Sequence, residues 1–326
     1  MIKVLTAIST LLLLVSCGTS QPDAAVTQWD EDNLNGKVKS VTTRFFAAIT
    51  PVPEGFNNAI IKNTERFDED GKLIEEIYSV DSVIDDHVFY SYNNDGNILQ
   101  RKSCSEDNDY TTLIYTYNDK GLNTKIEEEH SNGVTFVLIE KEYNEQGLPI
   151  RTFENNHETE IAYTYDSNNR LYETIRLYDR VVHDYDNSGR LVSLKTYENG
   201  SNKLLTIETL VYDSRGRLTK ESYRDAESPS TLNYDRIMGY DDKDRLVERK
   251  FISIDMNGKE SLGNQFIYTY DEKGNMVEEK ALTNHFDNTS TIQISTYTYD
   301  EQGNWIKAQY AGKEETVTTT REIEYY

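Results

Sequence analysis

The chain has 326 residues, two cysteines, and 57 acidic against 34 basic residues, for a net charge of −23. That balance excludes a nucleic-acid partner and a polybasic membrane patch. Low mean hydropathy would suit a disordered chain, but 24 tyrosines and ten phenylalanines supply too much aromatic surface for a disordered polyanion.

The N-terminus comes first in chain order. Met1-Ile2-Lys3 provides a positive start, and Val4 to Val15 is an apolar run broken by Thr6, Ser9 and Thr10. This pattern predicts a signal peptide over residues 1–16. The run falls short of the roughly 20 apolar residues a helix needs to cross a bilayer, so no membrane-spanning segment is expected. Leu14-Val15-Ser16-Cys17 resembles the lipobox of bacterial lipoproteins. The resemblance implies that Cys17 is acylated and becomes the first residue of the mature chain, held on a membrane by its lipid. Residues 17–28 then form a lipidated polar tether, and 29–326 the folded domain. Cys104 is left as the only thiol, without a neighbouring His or Cys and without a disulfide partner.

The rest of the chain is dominated by self-similarity. An aromatic residue, Asp or Asn, two polar residues and Gly recur ten times, beginning at Phe67, Tyr92, Tyr117, Tyr143, Tyr165, Tyr185, Tyr212, Tyr240, Tyr270 and Tyr299. Asx after the aromatic opens a type I turn by bonding to backbone two residues on, and Gly supplies the left-handed residue that ends it. Asn169 and Asp244 replace that Gly with residue types that tolerate positive φ. Tyr-x-Tyr trios such as 90–92, 115–117, 163–165, 268–270 and 297–299 alternate with period two and predict strands. An apolar residue two places after the Gly position (Leu73, Ile98, Leu171, Leu191, Leu218, Leu246, Met276, Trp305) starts the return strand. Leu122 and Leu148 come one place early, with Pro149 following, which predicts locally irregular strands there. Half units stand at both ends: Asn33 to Val38 has the turn and return strand, and Glu322 to Tyr326 a first strand without its turn.

Tyr-x-Tyr-Asp-x-x-Gly-Arg/Asn-Leu, clearest around 183–191, 210–218, 268–276 and 297–305, resembles the YD repeat of the RHS family. The resemblance spans roughly residues 65–305 and implies an all-β fold. Tandem hairpins would stack into one long twisted or spiralling antiparallel sheet, solenoid-like as in an RHS shell. The toxin-encapsulating role of some RHS proteins does not follow, because the chain has no Asp-Pro-x-Gly core motif and no domain after Trp305. What remains is similar to short YD-repeat lipoproteins of Bacteroidetes-type bacteria.

No catalytic constellation emerges, and the chain reads as a non-enzyme without cofactor or metal. His87, His130, His157, His183 and His285 form no zinc-type pair. Asp68-Glu69-Asp70-Gly71 fails the EF-hand register at Arg66, and its aspartates are accounted for as turn caps. With 57 acidic residues, some carboxylates must lie close in space, and none is singled out. The expected function is that of a cell-envelope lipoprotein, on an outer membrane facing periplasm or exterior, acting as an interaction module for a glycan or surface protein. The alternative is a passive envelope scaffold; a carboxylate-dependent glycan-active enzyme or a toxin-encapsulating fragment ranks behind both. Binding residues are not identified. The longer connections 223–233, 255–264 and 284–291 are the candidate recognition edge, and the tyrosines the candidate core ladder or glycan platform.

Overall fold

The computed structural model describes residues 28–49, 61–105, 109–155, 159–226, 233–284, 289–312 and 315–326. A four-residue helix, α1 (Gln28–Glu31), precedes β1 (Val38–Ile49), β2 (Ile61–Phe67), β3 (Leu73–Val80), β4 (Val83–Tyr92), β5 (Ile98–Cys104), β6 (Tyr110–Tyr117) and β7 (Asn123–His130). Next come β8 (Thr135–Tyr143), β9 (Pro149–Glu154), β10 (Thr159–Tyr165), β11 (Leu171–Ile175), β12 (Asp179–Tyr185), β13 (Leu191–Glu198), β14 (Leu204–Tyr212) and β15 (Leu218–Asp225). The series ends with β16 (Asn233–Tyr240), β17 (Leu246–Ile254), β18 (Glu260–Tyr270), β19 (Met276–Asn284), β20 (Ser290–Tyr299), β21 (Trp305–Ala311) and β22 (Glu315–Tyr325).

Each aromatic-Asx-x-x-Gly segment folds as its chemistry predicts. In the first, Asp68 Oδ1 accepts the N–H groups of Asp70 and Lys72 at 3.0 and 2.9 Å. The Gly71 N–H returns to the Asp68 carbonyl at 3.0 Å, and the Asp68 N–H to the Lys72 carbonyl at 2.9 Å. Gly71 has φ 82°, and the substitutes Asn169 and Asp244 sit at 58° and 64°. The expected irregularity after Gly121 and Gly147 is absent. Asn123 and Pro149 oppose Tyr117 and Tyr143 in the register that Leu73 takes opposite Phe67, because a first strand position accepts proline.

The open spiralling or solenoid-like sheet expected from the repeat is corrected by the pairing of the two ends. All strands pair antiparallel with their sequence neighbours, and β22 also pairs with β1, from Val38↔Tyr325 to Ile49↔Glu315. The twenty-two strands of the described residues thus close into one barrel. The physical reason is that the two half units complete each other. Val38↔Tyr325 followed by Ser40↔Glu324 repeats the register step of Trp305↔Tyr299 followed by Lys307↔Thr298. The Tyr326 N–H bonds the Lys37 carbonyl at 3.0 Å, as the Asp300 N–H bonds that of Asn304 at 2.9 Å. An eleventh hairpin is therefore split across the termini, its first strand C-terminal and its return strand N-terminal. Closure also removes the edge strands of an open sheet.

Closure overturns a second expectation, that of no membrane-spanning segment. It rested on the length of an apolar run, and no helix among the described residues is long and apolar enough to cross. A closed antiparallel barrel, however, satisfies all backbone groups between its own strands and is an architecture able to cross a bilayer. Ionisable side chains stand on both faces of this one: the register puts Lys62, Lys125, Lys195 and Lys250 on one side and Glu65, Glu128, Glu208 and Arg249 on the other.

The tyrosine-bearing face turns inward. In the trios the middle residues Ser91, Thr116, Thr164, Thr269 and Thr298 are exposed, whereas the tyrosines beside them are buried or half-buried. The second tyrosine of each unit spans to its predecessor. Tyr92, Tyr117, Tyr143, Tyr165, Tyr185, Tyr212, Tyr240, Tyr270 and Tyr299 donate their hydroxyls to the carbonyls of Leu73, Ile98, Asn123, Pro149, Leu171, Leu191, Leu218, Leu246 and Met276 at 2.5–2.9 Å. In four units an arginine after the turn adds to this link. Arg170, Arg190, Arg217 and Arg245 hold the turn aspartates Asp166, Asp186, Asp213 and Asp241 through Nε at 2.7–2.8 Å. Their guanidinium carbons lie 4.5–4.8 Å from the ring centroids of Tyr185, Tyr212, Tyr240 and Tyr270 in the next unit. Tight apolar packing is concentrated at the seam, where Leu34, Val38, Val41, Phe67 and Leu73 form a buried cluster against Tyr90, Ile323 and Tyr325.

Candidate binding cavity

Strand alternation near the seam directs a distinct set of side chains inward. Thr43 and Phe45 come from β1, Asn63 and Glu65 from β2, Glu76 and Tyr78 from β3, and Asp86 and Val88 from β4. Arg101 of β5, Trp305 and Ala308 of β21, and Thr319 and Arg321 of β22 complete the lining with Asp85. Together they line an open cavity of about 690 Å³. It exists only because the barrel closes, since β21 and β22 reach β2 through β1.

Its electrostatics are organised around Glu65. Glu65 and Glu76 are direct cross-strand partners, a like-charge arrangement that costs stability. The segment after α1 brings Asp32 near as well. Burial, reinforced by Asp32 and Glu76, pushes the Glu65 carboxyl up to about 7, against a smaller opposing effect of Arg321. Asp32 is raised too, by burial, although Gln28 Nε2 donates to it at 3.1 Å. Glu76 accepts the Tyr90 hydroxyl, and burial followed by that carboxylate raises the Tyr90 phenol. Arg101 Nε reaches the Tyr90 oxygen at 3.4 Å, and Ser103 donates to Asp86. The Arg321 guanidinium lies 3.8 Å from the Trp305 ring centroid, its Nε is buried without a hydrogen-bond partner, and burial lowers its pKa. Aromatic faces, hydrogen-bonding carboxylates and two guanidinium groups therefore converge on one space, as ligand sites require.

The residues singled out from sequence are distributed differently. Cys17, the signal peptide, most of the tether, His157 and His285 lie outside the described residues, as do 227–232 and 285–288 of the candidate recognition edge. The described connection at 255–259 is a tight turn, with the Asp255 N–H on the Lys259 carbonyl at 3.1 Å. His87 bonds Glu75 at 2.7 Å and His130 contacts Glu128 at 2.7 Å, while His183 is elsewhere on β12. Cys104 is free and half-buried on β5. Among the described residues no group of three or more His, Cys, Asp or Glu side chains is placed to hold a metal.

The cavity residues carried a signal that the repeat itself contains. Glu65 stands where the units at Tyr92, Tyr117, Tyr165, Tyr270 and Tyr299 place the first tyrosine of the trio, and Trp305 where most others place Leu. Departures from a repeat mark positions at which the repeat's own packing does not dictate the residue.

Neither a family model nor a curated protein matches the sequence. Among solved structures the chain is similar to the TcdB2-TccC3 crystal structure, at 12% identity and TM-score 0.34 over 79% of this chain and 20% of that one. The chain thus spans about a fifth of that protein's length. A porin-like protein from Bacteroides uniformis aligns at 11% identity and TM-score 0.30, over 89% of this chain and 99% of that one. A porin-like protein from Bacteroides vulgatus aligns at 12% and 0.26, over 89% and 98%. Scores of this size carry no argument about fold or function.

Proposed function

We propose that the chain is a cell-envelope lipoprotein, anchored through Cys17, whose barrel is an interaction module that takes a carbohydrate into the inner-face cavity. The observation that carries the reading is the lining: the rings of Phe45, Tyr78 and Trp305 beside the polar groups of Asn63, Glu76 and Arg101, in about 690 Å³. Sugars offer a ring face that stacks on aromatic side chains and hydroxyls that need paired donors and acceptors. Glu65 and Trp305 depart from the residues that most units place at their positions, which supports reading them as serving a ligand and not the repeat's packing.

The test is a glycan array probed with the detergent-solubilised full chain, followed by titration calorimetry on the strongest hit. Trp305→Ala and Tyr78→Ala should each weaken binding by about tenfold or more, while Phe89→Ala, on the outer face, should leave it unchanged. A protein that binds no glycan, or whose binding ignores both cavity variants, contradicts the proposal and leaves a passive envelope role. Anchoring is tested separately by metabolic labelling with a fatty-acid analogue, which should mark the parent and spare Cys17→Ala.

A further inference from the structure

We infer that the ligand of this cavity is cationic, an amino sugar, seated with its ammonium against Glu65 and Glu76 and its ring against the aromatic faces of the same lining. The sugar part rests on the carbohydrate reading above; the charge rests on the cavity itself.

Four carboxylates line the space, Glu65, Glu76, Asp85 and Asp86, against the two guanidinium groups of Arg101 and Arg321. Asp32 adds its charge behind Glu65. Arg101 bonds the Tyr90 oxygen and faces Glu76 and Asp86, and Arg321 lies on the Trp305 ring with Glu65 and Asp32 as its charged neighbours, so two guanidinium groups stand against five carboxylates. Glu65 forms no ion pair among the described residues, although a glutamate faces it directly across the strand pair. Burial, then the charges of Asp32 and Glu76, outweigh Arg321 at Glu65 and raise its carboxyl to about 7, so near neutrality it is partly protonated and the cavity is short of positive charge.

An ammonium placed between Glu65 and Glu76 supplies that missing charge. Glu65 then ionises, its proton passes to solvent, and the cation gains two carboxylate contacts in a partly desolvated site. Neighbouring aromatic faces favour the same charge. A neutral sugar leaves the cross-strand repulsion in place, and an acidic one increases it. The cost of opposing Glu65 and Glu76 inside a barrel of tyrosines is thereby explained as a binding feature.

The experiment compares three probes by calorimetry on the full chain, just below neutral pH: fully de-N-acetylated chitotriose, its N-acetylated counterpart, and spermidine, which carries the same number of amines without a sugar ring. The de-N-acetylated trisaccharide is expected to bind about tenfold or more tightly than either other probe. Titration in buffers of different ionisation enthalpy should show proton release on binding. Glu65→Gln and Glu76→Gln should each remove most of the preference for the amine over the N-acetylated sugar. Equal or tighter binding of the N-acetylated sugar overturns the cationic inference and leaves the carbohydrate reading standing. Spermidine binding as tightly as the amino sugar, with no response to the neutral one, supports the charge and overturns the sugar. Binding that neither Gln variant weakens overturns the assignment of Glu65 and Glu76.

Discussion

Replacing Asn304 with Ala should cost far more than the same change at Asn275, its counterpart one unit earlier. Asn304 is 2% exposed. Its Oδ1 accepts the Asn35 N–H at 2.7 Å, and its Nδ2 donates to the Asn35 carbonyl at 2.8 Å and to the Tyr325 hydroxyl at 2.7 Å. Tyr325 also donates to Asp300, and burial together with that carboxylate pushes its phenol up to about 12. One side chain thus joins the N-terminal half unit, the C-terminal half unit and the turn between β20 and β21. Alanine orphans both backbone groups of Asn35, at about 1–2 kcal/mol each, for a loss of about 2–4 kcal/mol. Asn275 Nδ2 only reaches Asp271 within its own turn, at 3.0 Å, so Asn275→Ala should cost about 0.5–1.5 kcal/mol. Urea unfolding of both variants, fitted with a common slope, measures the difference. Equal losses would refute the claim that Asn304 holds the split unit together.

Three other outcomes follow from the same geometry. Gly274→Val and Gly216→Val should each destabilise by about 1–3 kcal/mol. At Gly274 nothing lies within 4 Å of an added Cβ, so φ 97° is the whole cause there; Asn169→Gly should be neutral or mildly stabilising in the same melts. Arg217→Ala loses the hold on Asp213 and the contact with the Tyr240 ring and should lower the melting temperature, with Arg217→Lys rescuing little because the two-point fork is gone. Glu65 is raised from 4.5 to about 7 in the folded state, so its contribution is complete at acidic pH and is lost as pH rises through about 7, a change of roughly 3 kcal/mol. Unfolding free energies of the parent and Glu65→Gln should therefore diverge across that window, and parallel curves would contradict the buried acid.

The turn chemistry and strand periodicity were legible because each repeat carries them locally. Asx and Gly dictate the hairpin at Asp68 to Gly71, and period two places both tyrosines of a trio on one face. Closure was not legible in the same way. The half units at Asn33 and Glu322 were visible, but their complementarity depends on the accumulated twist and stagger of ten intervening hairpins, which no single unit encodes. Without closure Arg321 and Trp305 have no route to Glu65, so the cavity was hidden too. Its residues were nevertheless marked, because Glu65 and Trp305 break the repeat where packing alone would have kept tyrosine and leucine.

Closure itself is open to direct measurement with a disulfide across the seam. Thr42 of β1 and Glu322 of β22 are opposed partners on the outer face, and opposed antiparallel residues lie roughly 4.5–5.5 Å apart, within disulfide range. With Cys17 changed to Ala and Cys104 to Ser, a Thr42→Cys/Glu322→Cys variant should oxidise within single chains, giving a faster-migrating, reductant-sensitive monomer with no thiol left to label. Thiols that stay free under oxidation, or that bond only between chains, would mean that β1 and β22 do not meet and that the sheet is open.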